Sequence, residues 1–369
     1  MGLSNSTFTY KHIHFLAPPA DRAPLPTSGL PQGISRFYIP TPSGNLEILY
    51  AKPSASNATP KKSPIFFAHG GMGCAAYWLE YMTYLSSRGI PCYAVSCRGH
   101  GNSWYPSFLR MVYGTTKRML ADDILAGIRF VQEREDGTEV VLVGHSSGGG
   151  LSQFVLSEGN VRVKGLVLAA AVPGFGSLGV YINWFKLDPW FALRMVFHGW
   201  HPNSPLSHPK LVRNVFFSDE QTDEYIENFH KLASPYESFL WPLGMGHKFV
   251  DPARVLGQIS GWGTKGPDND RVLVLAGGGD KIMTYPVMEK LAWFYRRAWA
   301  GLVGEKKMDS AASSSDGGDA VRSLAADGGL DSAGQGVRLA VVPGAGHHLQ
   351  NDVQWEIGAK KLLEFYEKL

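Results

Sequence analysis

The chain has 369 residues, of which 44% are hydrophobic and 18% are charged, and its formal net charge is +3. This length and composition are typical of a folded globular protein with a large core, and they exclude a globally disordered chain. The small net charge, with no run of lysine and arginine longer than two residues, argues against a nucleic-acid-binding protein.

The first residues, MGLSNS, carry no continuous apolar stretch of the kind found in secretory signals. They match the pattern for N-myristoylation through Gly2 and Ser6. One lipid chain anchors a protein only weakly, so we expect no stable membrane insertion. The uncharged stretch 165–185 is as long as a membrane span, but Pro173 and several glycines interrupt it, and its first half is typical of a buried strand.

Strand-like and helical segments alternate through most of the chain. Two short β-like stretches, SRFYIP and NLEILYAKP, come first, and six continuous apolar runs follow at 63–70, 91–97, 139–146, 163–171, 271–280 and 337–344. Helices are predicted at about 75–88, 115–134, 148–158, 285–300 and 353–369. Continuous apolar strands are typical of a parallel sheet covered on both faces. We therefore predict a mostly parallel, doubly wound α/β sheet with a site beyond the carboxyl ends of its strands.

Two segments interrupt this alternation. Residues 173–266 contain no strand-like run and many aromatics, and within them SDEQTDEYIENFHKL has the pattern of an amphipathic helix. We predict a helical cap here, inserted between two parts of the core at 1–172 and 267–369, with Trp184, Phe185 and Trp190 as candidate substrate contacts. The second segment, about 305–336, is rich in Gly, Ser, Ala and Asp and is predicted to be a flexible insertion.

The three cysteines lie close together in sequence, at Cys74, Cys92 and Cys97. They form neither a disulfide framework nor a paired metal-ligand pattern, so we expect a reducing, cytoplasmic compartment and no metal site. Nor do the histidines at His12, His14 and His100 have the spacing of zinc ligands.

The strongest chemical signal is GHSSG, Gly144 to Gly148, between an apolar run and a predicted helix. In this setting a G-x-S-x-G turn presents its central serine as a nucleophile, which selects Ser146. Ser147 has the wrong flanking residues and would contribute only its backbone N–H. The structural alternative is a glycine-rich helix start with Ser146 as N-cap.

A serine nucleophile needs a base, and the base needs a group to orient it. Asp280 follows a strand-like run in LAGGGDKI, and the last run ends in PGAGHH, which offers two adjacent histidines. Asp122 and Asp123 near a helix start are explained by the helix dipole alone. The sequence HGGMG, at 69–73, follows the first run of the main sheet and offers backbone N–H groups for a developing negative charge.

Four pieces in order, HGGMG, SCRGHGNS, GHSSGG with GGGD, and GAGHH, resemble the α/β-hydrolase family, in particular its capped esterase- and lipase-like members. The resemblance covers about 35–172 and 270–369. It implies Ser146 as nucleophile, Asp280 as acid and His347 as base, because the family pattern resembles G-x-G-H. His348 would then be a residue of the following helix start or of the pocket rim.

The resemblance also implies an oxyanion hole made by the N–H groups of Gly71 and Ser147, with Met72 as the alternative to Gly71. SCRGHGNS resembles the family's D-x-R-G-x-G-x-S loop but has Ser96 in place of the aspartate. The carboxylate that usually stabilises this loop is therefore missing at that position.

The implied activity is hydrolysis of an ester, thioester or lactone with a sizeable apolar part, through an acyl-enzyme and without cofactor or metal. Its partner is a small apolar substrate. Two alternatives remain at this stage. One is a non-hydrolytic or C–C-cleaving reaction on the same residues, since one fold hosts many reactions. The other is a catalytically silent small-molecule receptor.

Overall fold

The computed structural model describes residues 6–16, 29–54, 62–263, 270–308, 320–324 and 329–369. Gly2, and with it the N-myristoylation prediction, lies outside these residues.

In the described part of the chain, ten strands form one sheet in the order β1-β2-β4-β3-β5-β6-β7-β10-β9-β8. Their bounds are β1 Ile34–Thr41, β2 Gly44–Ala51, β3 Ile65–Ala68, β4 Cys92–Val95, β5 Val141–His145, β6 Gly165–Ala169, β7 Val272–Gly277, β8 Arg322–Ser323, β9 Ser332–Ala333 and β10 Val337–Val342. The six strands from β3 to β7 and β10 are parallel, and antiparallel pairs occur only towards the two edges of this described sheet. The predicted mostly parallel α/β sheet is confirmed.

The described helices connect these strands. They are α1 Leu79–Ser86, α2 Phe108–Gly114, α3 Lys117–Arg134, α4 Ser146–Ser157, α5 Leu178–Leu187, α6 Phe191–Phe197, α7 Pro209–Phe216, α8 Asp223–Lys231, α9 Leu240–Gly244, α10 Pro252–Gly257, α11 Tyr285–Gly304 and α12 Trp355–Tyr366. Two groups flank the sheet, namely α1 with α12, and α3 with α4, α10 and α11. The central parallel strands are buried along their whole length because helices cover both faces.

The order of strands fixes where a site can form. The chain goes from β3 to β4 on one side, then returns to β5 on the other side of β3. This reversal leaves a crevice beyond the carboxyl ends of β3 and β5. The loop at 69–73 follows β3 and Ser146 follows β5, so both predicted elements meet at this crevice.

The segment predicted as a cap is helical. It contains α5 to α10, and its described residues include no strand apart from a single bridge between Ile259 and Val163. The amphipathic pattern at 218–232 corresponds to α8, which begins after Thr222, whose side chain accepts a hydrogen bond from Tyr225 N–H. The stretch 165–185 is divided between β6 and α5. Among the described residues, no helix is long and apolar enough to cross a membrane.

The segment 305–336, predicted to be a flexible insertion, is described in part, and its described residues include two short strands. Strands β8 and β9 pair with each other, and β9 pairs with β10 through Ser332 and Leu339. Asp331 accepts a hydrogen bond from the Val341 N–H and forms an ion pair with Lys361. Residues 309–319 and 325–328 are outside the described part of the chain. The sequence did not predict these two strands, because each is only two residues long and forms no apolar run.

The turn from β5 into α4 has no room for a side chain at its glycines. A Cβ on Gly148 would lie 2.1 Å from the His69 carbonyl oxygen, and one on Gly144 would lie 2.6 Å from the Cα of Gly149. Both contacts are with backbone, which cannot move aside as a side chain would. The two glycines of GHSSG are therefore required by close approach.

We predict that Gly148→Ala lowers the free energy of unfolding by about 3 kcal/mol or prevents folding, because the new Cβ overlaps the end of β3. Gly179→Ala is the matched control, since a Cβ at this helical position meets nothing within 4 Å. It should be neutral or slightly stabilising. Chemical denaturation of both variants measures the difference, and equal effects would contradict the packing argument.

Candidate active site

Ser146 lies at the sharp turn where β5 becomes α4. Its backbone has φ of 50°, in the left-handed region that non-glycine residues rarely adopt. The residue is half-buried, so its hydroxyl is accessible from the crevice. Strain of this kind is found at functional sites, where surrounding packing holds the residue in place.

A hydrogen-bonded chain joins the three predicted residues. The Ser146 hydroxyl lies 3.0 Å from Nε2 of His347, and Nδ1 of His347 lies 2.9 Å from Oδ2 of Asp280. Because a carboxylate only accepts, Nδ1 donates to Asp280 and leaves Nε2 free to accept the serine proton. The structure therefore brings together residues that are 201 and 67 positions apart in the chain.

Asp280 is held by the turn that follows β7. Its Oδ1 accepts hydrogen bonds from the N–H groups of Ile282 and Met283, at 2.9 and 2.8 Å. Oδ2 is left for His347. The carboxylate is buried and has an acceptor position filled on each oxygen, which fixes the direction in which it faces the histidine.

The loop that carries His347 is anchored at several points. Gly344 has φ of 75° at the turn after β10. The buried Asp352 accepts hydrogen bonds from the N–H groups of Gly346 and Ser218 and from the Ser218 hydroxyl.

The His347 carbonyl accepts a hydrogen bond from Nε2 of His145, at 3.0 Å. Burial, with the nearby His348 and His347, keeps the pKa of His145 well below its usual value, so it acts as a neutral donor.

His348 lies neither at a pocket rim nor at the start of α12, the two positions expected from the sequence. Its side chain is buried among aromatic rings which are, in order of increasing distance, those of His145, Phe216, Phe229, Tyr77 and Phe217. Burial and the neighbouring His347 hold the pKa of His348 well below its usual value. It is a neutral packing residue, because the backbone after His347 turns into the interior.

The backbone donors predicted at 71–72 and 147 have different surroundings. Ser147 is in the first turn of α4, where N–H groups have no partner within the helix. The Gly71 N–H has no acceptor among the described residues. In contrast, the Met72 N–H already donates to Oε2 of Glu237, at 2.8 Å. The geometry thus favours Gly71 and Ser147 as the pair of available donors.

A buried ion pair that the sequence analysis did not identify holds the 69–73 loop. Glu237, from the helical segment, accepts hydrogen bonds from Met72 N–H and from Nε2 of His100 with Oε2, and from Ser238 N–H with Oε1. The Ser234 N–H also donates to the Met72 carbonyl, at 2.9 Å. Both backbone polar groups of Met72, whose φ is 59°, are therefore held by residues of the helical segment.

The charges of this pair follow from its geometry. Nδ1 of His100 lies 2.8 Å from the Arg98 carbonyl oxygen, and Nε2 lies 2.9 Å from the Glu237 carboxylate. Because both partners only accept, both nitrogens donate, and the ring is the positively charged imidazolium. Burial by itself would lower the pKa of His100, but the charge of Glu237 raises it above its usual value. Burial would likewise raise the pKa of Glu237, but His100 and the hydrogen bonds lower it.

The loop 96–103 receives its carboxylate from another strand. Oε2 of Glu47, on β2, accepts hydrogen bonds from the Ser96 hydroxyl and the Asn102 N–H, at 2.7 and 3.0 Å. Arg36 donates to Oε1 of the same residue. The departure at Ser96 therefore does not leave the loop without a carboxylate, because β2 pairs with β4 and brings Glu47 beside it.

The dipole explanation of Asp122 and Asp123 is wrong, since the first turn of α3 contains no acidic residue. Asp123 is buried and forms a bidentate ion pair with Arg98, in which Nε donates to Oδ2 at 2.8 Å and Nη2 donates to Oδ1 at 2.6 Å. This pair ties α3 to the 96–103 loop.

The predicted aromatic contacts do not share one environment. Phe185 and Trp190 are 54% and 62% exposed, because they lie on the outward side of the helical segment. Trp184 is half-buried and contacts Phe216, whose ring centroid lies 5.6 Å from that of His347.

Trp241 was not identified from the sequence, yet a Cβ on Gly71 would lie 3.1 Å from its ring. Nothing in the spacing of Phe216 and Trp241 distinguishes them from the other aromatics of this segment.

Comparison with known proteins matches most of the chain to one family. A sequence model described as "Alpha/beta hydrolase family" matches residues 65–355. A non-heme chloroperoxidase from Streptomyces lividans is 34% identical over 111 residues, which cover 30% of this chain and 37% of that protein. The chain thus matches little more than a third of this relative's length.

Solved structures are similar over nearly the whole fold. A thermophilic esterase from Thermogutta terrifontis has a TM-score of 0.57 at 19% identity, with 90% of this chain and 98% of that chain covered. A carboxyl esterase from Bacillus coagulans has a TM-score of 0.58 at 14% identity, with 91% and 99% covered. A 2-hydroxy-6-oxo-6-phenylhexa-2,4-dienoate hydrolase from Rhodococcus has a TM-score of 0.55 at 15% identity, with 90% and 99% covered. At these identities the likeness shows the shared fold.

We predict that Glu237→Gln lowers the free energy of unfolding by about 3–5 kcal/mol, because an amide offers one acceptor to three donors and leaves His100 without its counter-charge. The exposed Glu224→Gln is the matched control and should be within about 0.5 kcal/mol of wild type.

The pH dependence of this difference has a defined sign. The raised pKa of His100 means that its contribution is complete below its usual pKa of 6.5 and is lost as the pH rises through the raised value. The lowered pKa of Glu237 means that its contribution is lost as the pH falls from 4.5 through the lowered value. Denaturation between pH 4 and 9 should show the largest gap between wild type and Glu237→Gln from about 4.5 to 6.5. A gap that grows above this range would contradict the charge assignment.

Proposed function

Because this chain belongs to the alpha/beta hydrolase family, matched over residues 65–355, we propose that it is a serine hydrolase that cleaves an ester, thioester or lactone of a sizeable apolar small molecule. The observation that carries the proposal is the position of His347, hydrogen-bonded to Ser146 on one side and to Asp280 on the other. A neutral serine is a weak nucleophile, and this arrangement activates it.

In the proposed first step, Ser146 Oγ attacks the substrate carbonyl carbon while Nε2 of His347 takes the hydroxyl proton. Asp280 holds the ring through Nδ1 and stabilises the imidazolium that forms. His347 then gives the proton to the leaving alcohol or thiol, and the acyl group stays on Ser146. His347 then takes a proton from water as the water attacks the acyl-enzyme. The same proton passes from His347 to Ser146 Oγ, which releases the acid and restores the serine hydroxyl.

The negative charge on the carbonyl oxygen would be received by the N–H groups of Gly71 and Ser147. Donors fixed before the reaction stabilise this charge without reorganising, and the loss of one such donor typically costs about 100-fold or more in rate. Glu237 and Ser234 support this role, since Glu237 accepts from the N–H of Met72, the residue next to Gly71, and the Ser234 N–H donates to the Met72 carbonyl.

An apolar substrate is supported by the side chains around the crevice. Trp241 lies against Gly71, and Phe216 lies against His347. Trp184 packs behind Phe216. Phe185 and Trp190 are left out of this proposal because of their exposure. A role of the helical segment as a cap is supported by the hydrogen bonds of its residues Ser234 and Glu237 to Met72, in the loop after β3.

We expect a fluorophosphonate probe to label wild-type protein and to leave Ser146→Ala unlabelled, because only an activated serine displaces fluoride from the probe. Ser147→Ala is the matched control. Its proposed role is a backbone N–H, so this variant should still be labelled. Unlabelled wild-type protein would contradict the proposal and favour a receptor without turnover. Labelled protein that turns over no ester, thioester or lactone would favour the non-hydrolytic or C–C-cleaving alternative.

We also expect His347→Ala and Asp280→Asn to lower kcat on an accepted ester by about 10⁴-fold, because the base is lost in one and held in the wrong tautomer in the other. His348→Ala should lower thermal stability through lost packing but reduce kcat far less. Steady-state kinetics on variants shown to be folded by circular dichroism make the comparison. Equal loss of kcat in the two histidine variants would mean that the base is wrongly assigned.

A further inference from the structure

Two consecutive helices of the helical segment expose apolar side chains along one side. Six large apolar side chains on α5, on α6 and in the link between them are 45–62% exposed, with three- or four-residue spacing on either side of the link, namely those of Leu178, Ile182, Phe185, Trp190, Leu193 and Phe197. We call these six residues the α5–α6 apolar face. The contact between the Phe185 and Phe191 rings, with centroids 6.5 Å apart, joins the two helices into one surface.

Three polar residues in or directly after these helices, Asp188, Arg194 and His198, are buried instead. Asp188 and Arg194 form an ion pair with both side chains at most 5% exposed. Nδ1 of the buried His198 is hydrogen-bonded to the Ser204 hydroxyl, at 3.0 Å. A surface helix ordinarily turns its apolar side inward. Here the arrangement is inverted, and large contiguous apolar patches of this kind mark interaction sites.

The exposed charges on the stretch of chain that carries the face are of one sign. Between residues 173 and 217 of the sequence the only carboxylate is that of Asp188, which is buried and paired. Lys186 is exposed on α5 itself. This stretch of chain therefore presents apolar groups with positive charge and carries no exposed carboxylate of its own.

A cleft adjoins the face at Leu178. It has a volume of about 510 Å³, and its walls include Phe175, Val180 and Val287. Its basic lining residues are His247, Lys248 and Lys290, and the described residues that line it include no carboxylate. Nζ of Lys290 lies 4.6 Å from the centre of the Phe175 ring. A cleft with apolar walls and two lysines fits an anionic head with an apolar tail.

We propose that the α5–α6 apolar face docks on an anionic lipid bilayer, with its side chains in the interfacial layer and a lipid headgroup between Lys248 and Lys290. Amphipathic helices with Trp, Phe and Leu on one side and lysine beside them lie in bilayer interfaces in this way. Cations near an anionic bilayer each add about 1 kcal/mol to binding. Docking needs no helix that crosses the membrane, and it does not depend on the chemistry of Ser146.

A second copy of the chain fits this face less well. In a two-fold dimer each face would meet the same face of its partner, which brings Lys186 and the lysines of the cleft towards the partner's lysines with no carboxylate between them. Like charges brought together without counter-charges oppose association. An anionic bilayer supplies the missing negative charge along the whole surface.

The test is flotation of the full chain with vesicles of phosphatidylcholine alone or with 30% phosphatidylserine added. We expect binding that increases on addition of phosphatidylserine and falls with salt, as electrostatic attraction to a surface does. Wild-type protein that does not float with either vesicle would overturn the proposal.

Variants locate the binding surface. Ile182→Ser with Leu193→Ser should weaken binding to the phosphatidylserine vesicles about tenfold, because two side chains of the face lose their apolar area. Ile357→Ser with Leu330→Ser is the matched control, since these residues are 42% and 51% exposed against 49% and 54% for the test pair and lie outside the helical segment. It should bind like wild type. Equal loss in both variants would overturn the assignment to α5 and α6, and thermal unfolding checks that both are folded.

A second pair of variants tests the position of the headgroup. Lys290→Gln should lower binding about fivefold and remove part of the preference for phosphatidylserine. The exposed helical Lys360→Gln should change neither. If Lys290→Gln behaves like Lys360→Gln, the headgroup assignment is wrong. A dimer that Ile182→Ser with Leu193→Ser dissociates, without vesicle binding by wild type, would show that a second copy covers the face and would overturn the proposal.

Discussion

The candidate site depends on the contact between the first turn of α4 and the end of β3. Gly148 lies so close to the His69 carbonyl that no side chain fits between them. Because β3 and β5 are adjacent parallel strands, this contact brings the 69–73 loop and Ser146 together at the point where the chain reverses its direction across the sheet. The strained φ of Ser146 is maintained by the same packing.

Around this contact, long-range polar groups fix each loop from a different part of the chain. Asp352 and His145 hold the loop of His347, Glu47 holds the loop 96–103, and Glu237 holds Met72. Most of these carboxylates accept from several donors at once, which is how buried charge is tolerated. Among the described residues the Gly71 N–H has no acceptor, and Ser147 lies in the first turn of α4, so both N–H groups are proposed as donors to the substrate. The polar network therefore holds the loops around the candidate site in place.

The helical segment carries two different surfaces. Its inner residues, Ser234 and Glu237, bond to the loop at the mouth of the sheet, while its outer helices present the α5–α6 apolar face. The same segment thus connects the candidate site with the surface proposed to meet lipid. This division accounts for the aromatic composition of the segment better than a single substrate pocket, since Trp184 and Phe216 lie inside whereas Phe185 and Trp190 lie outside.

The sequence by itself determined the sheet and the candidate Ser146, because apolar runs and tight glycine turns are local patterns. Its resemblance to a family added Asp280 as acid and selected His347 over His348 as base. It did not determine the partners that arrive from distant segments. Glu47 replaces the carboxylate absent at Ser96, Glu237 engages Met72, and Asp123 pairs with Arg98 rather than answering a helix dipole. Only the tertiary structure decided these, together with the burial of His348 and the exposure of α5 and α6. Hydrogen bonds and burial depend on which segments pack together, and spacing along the chain does not record that.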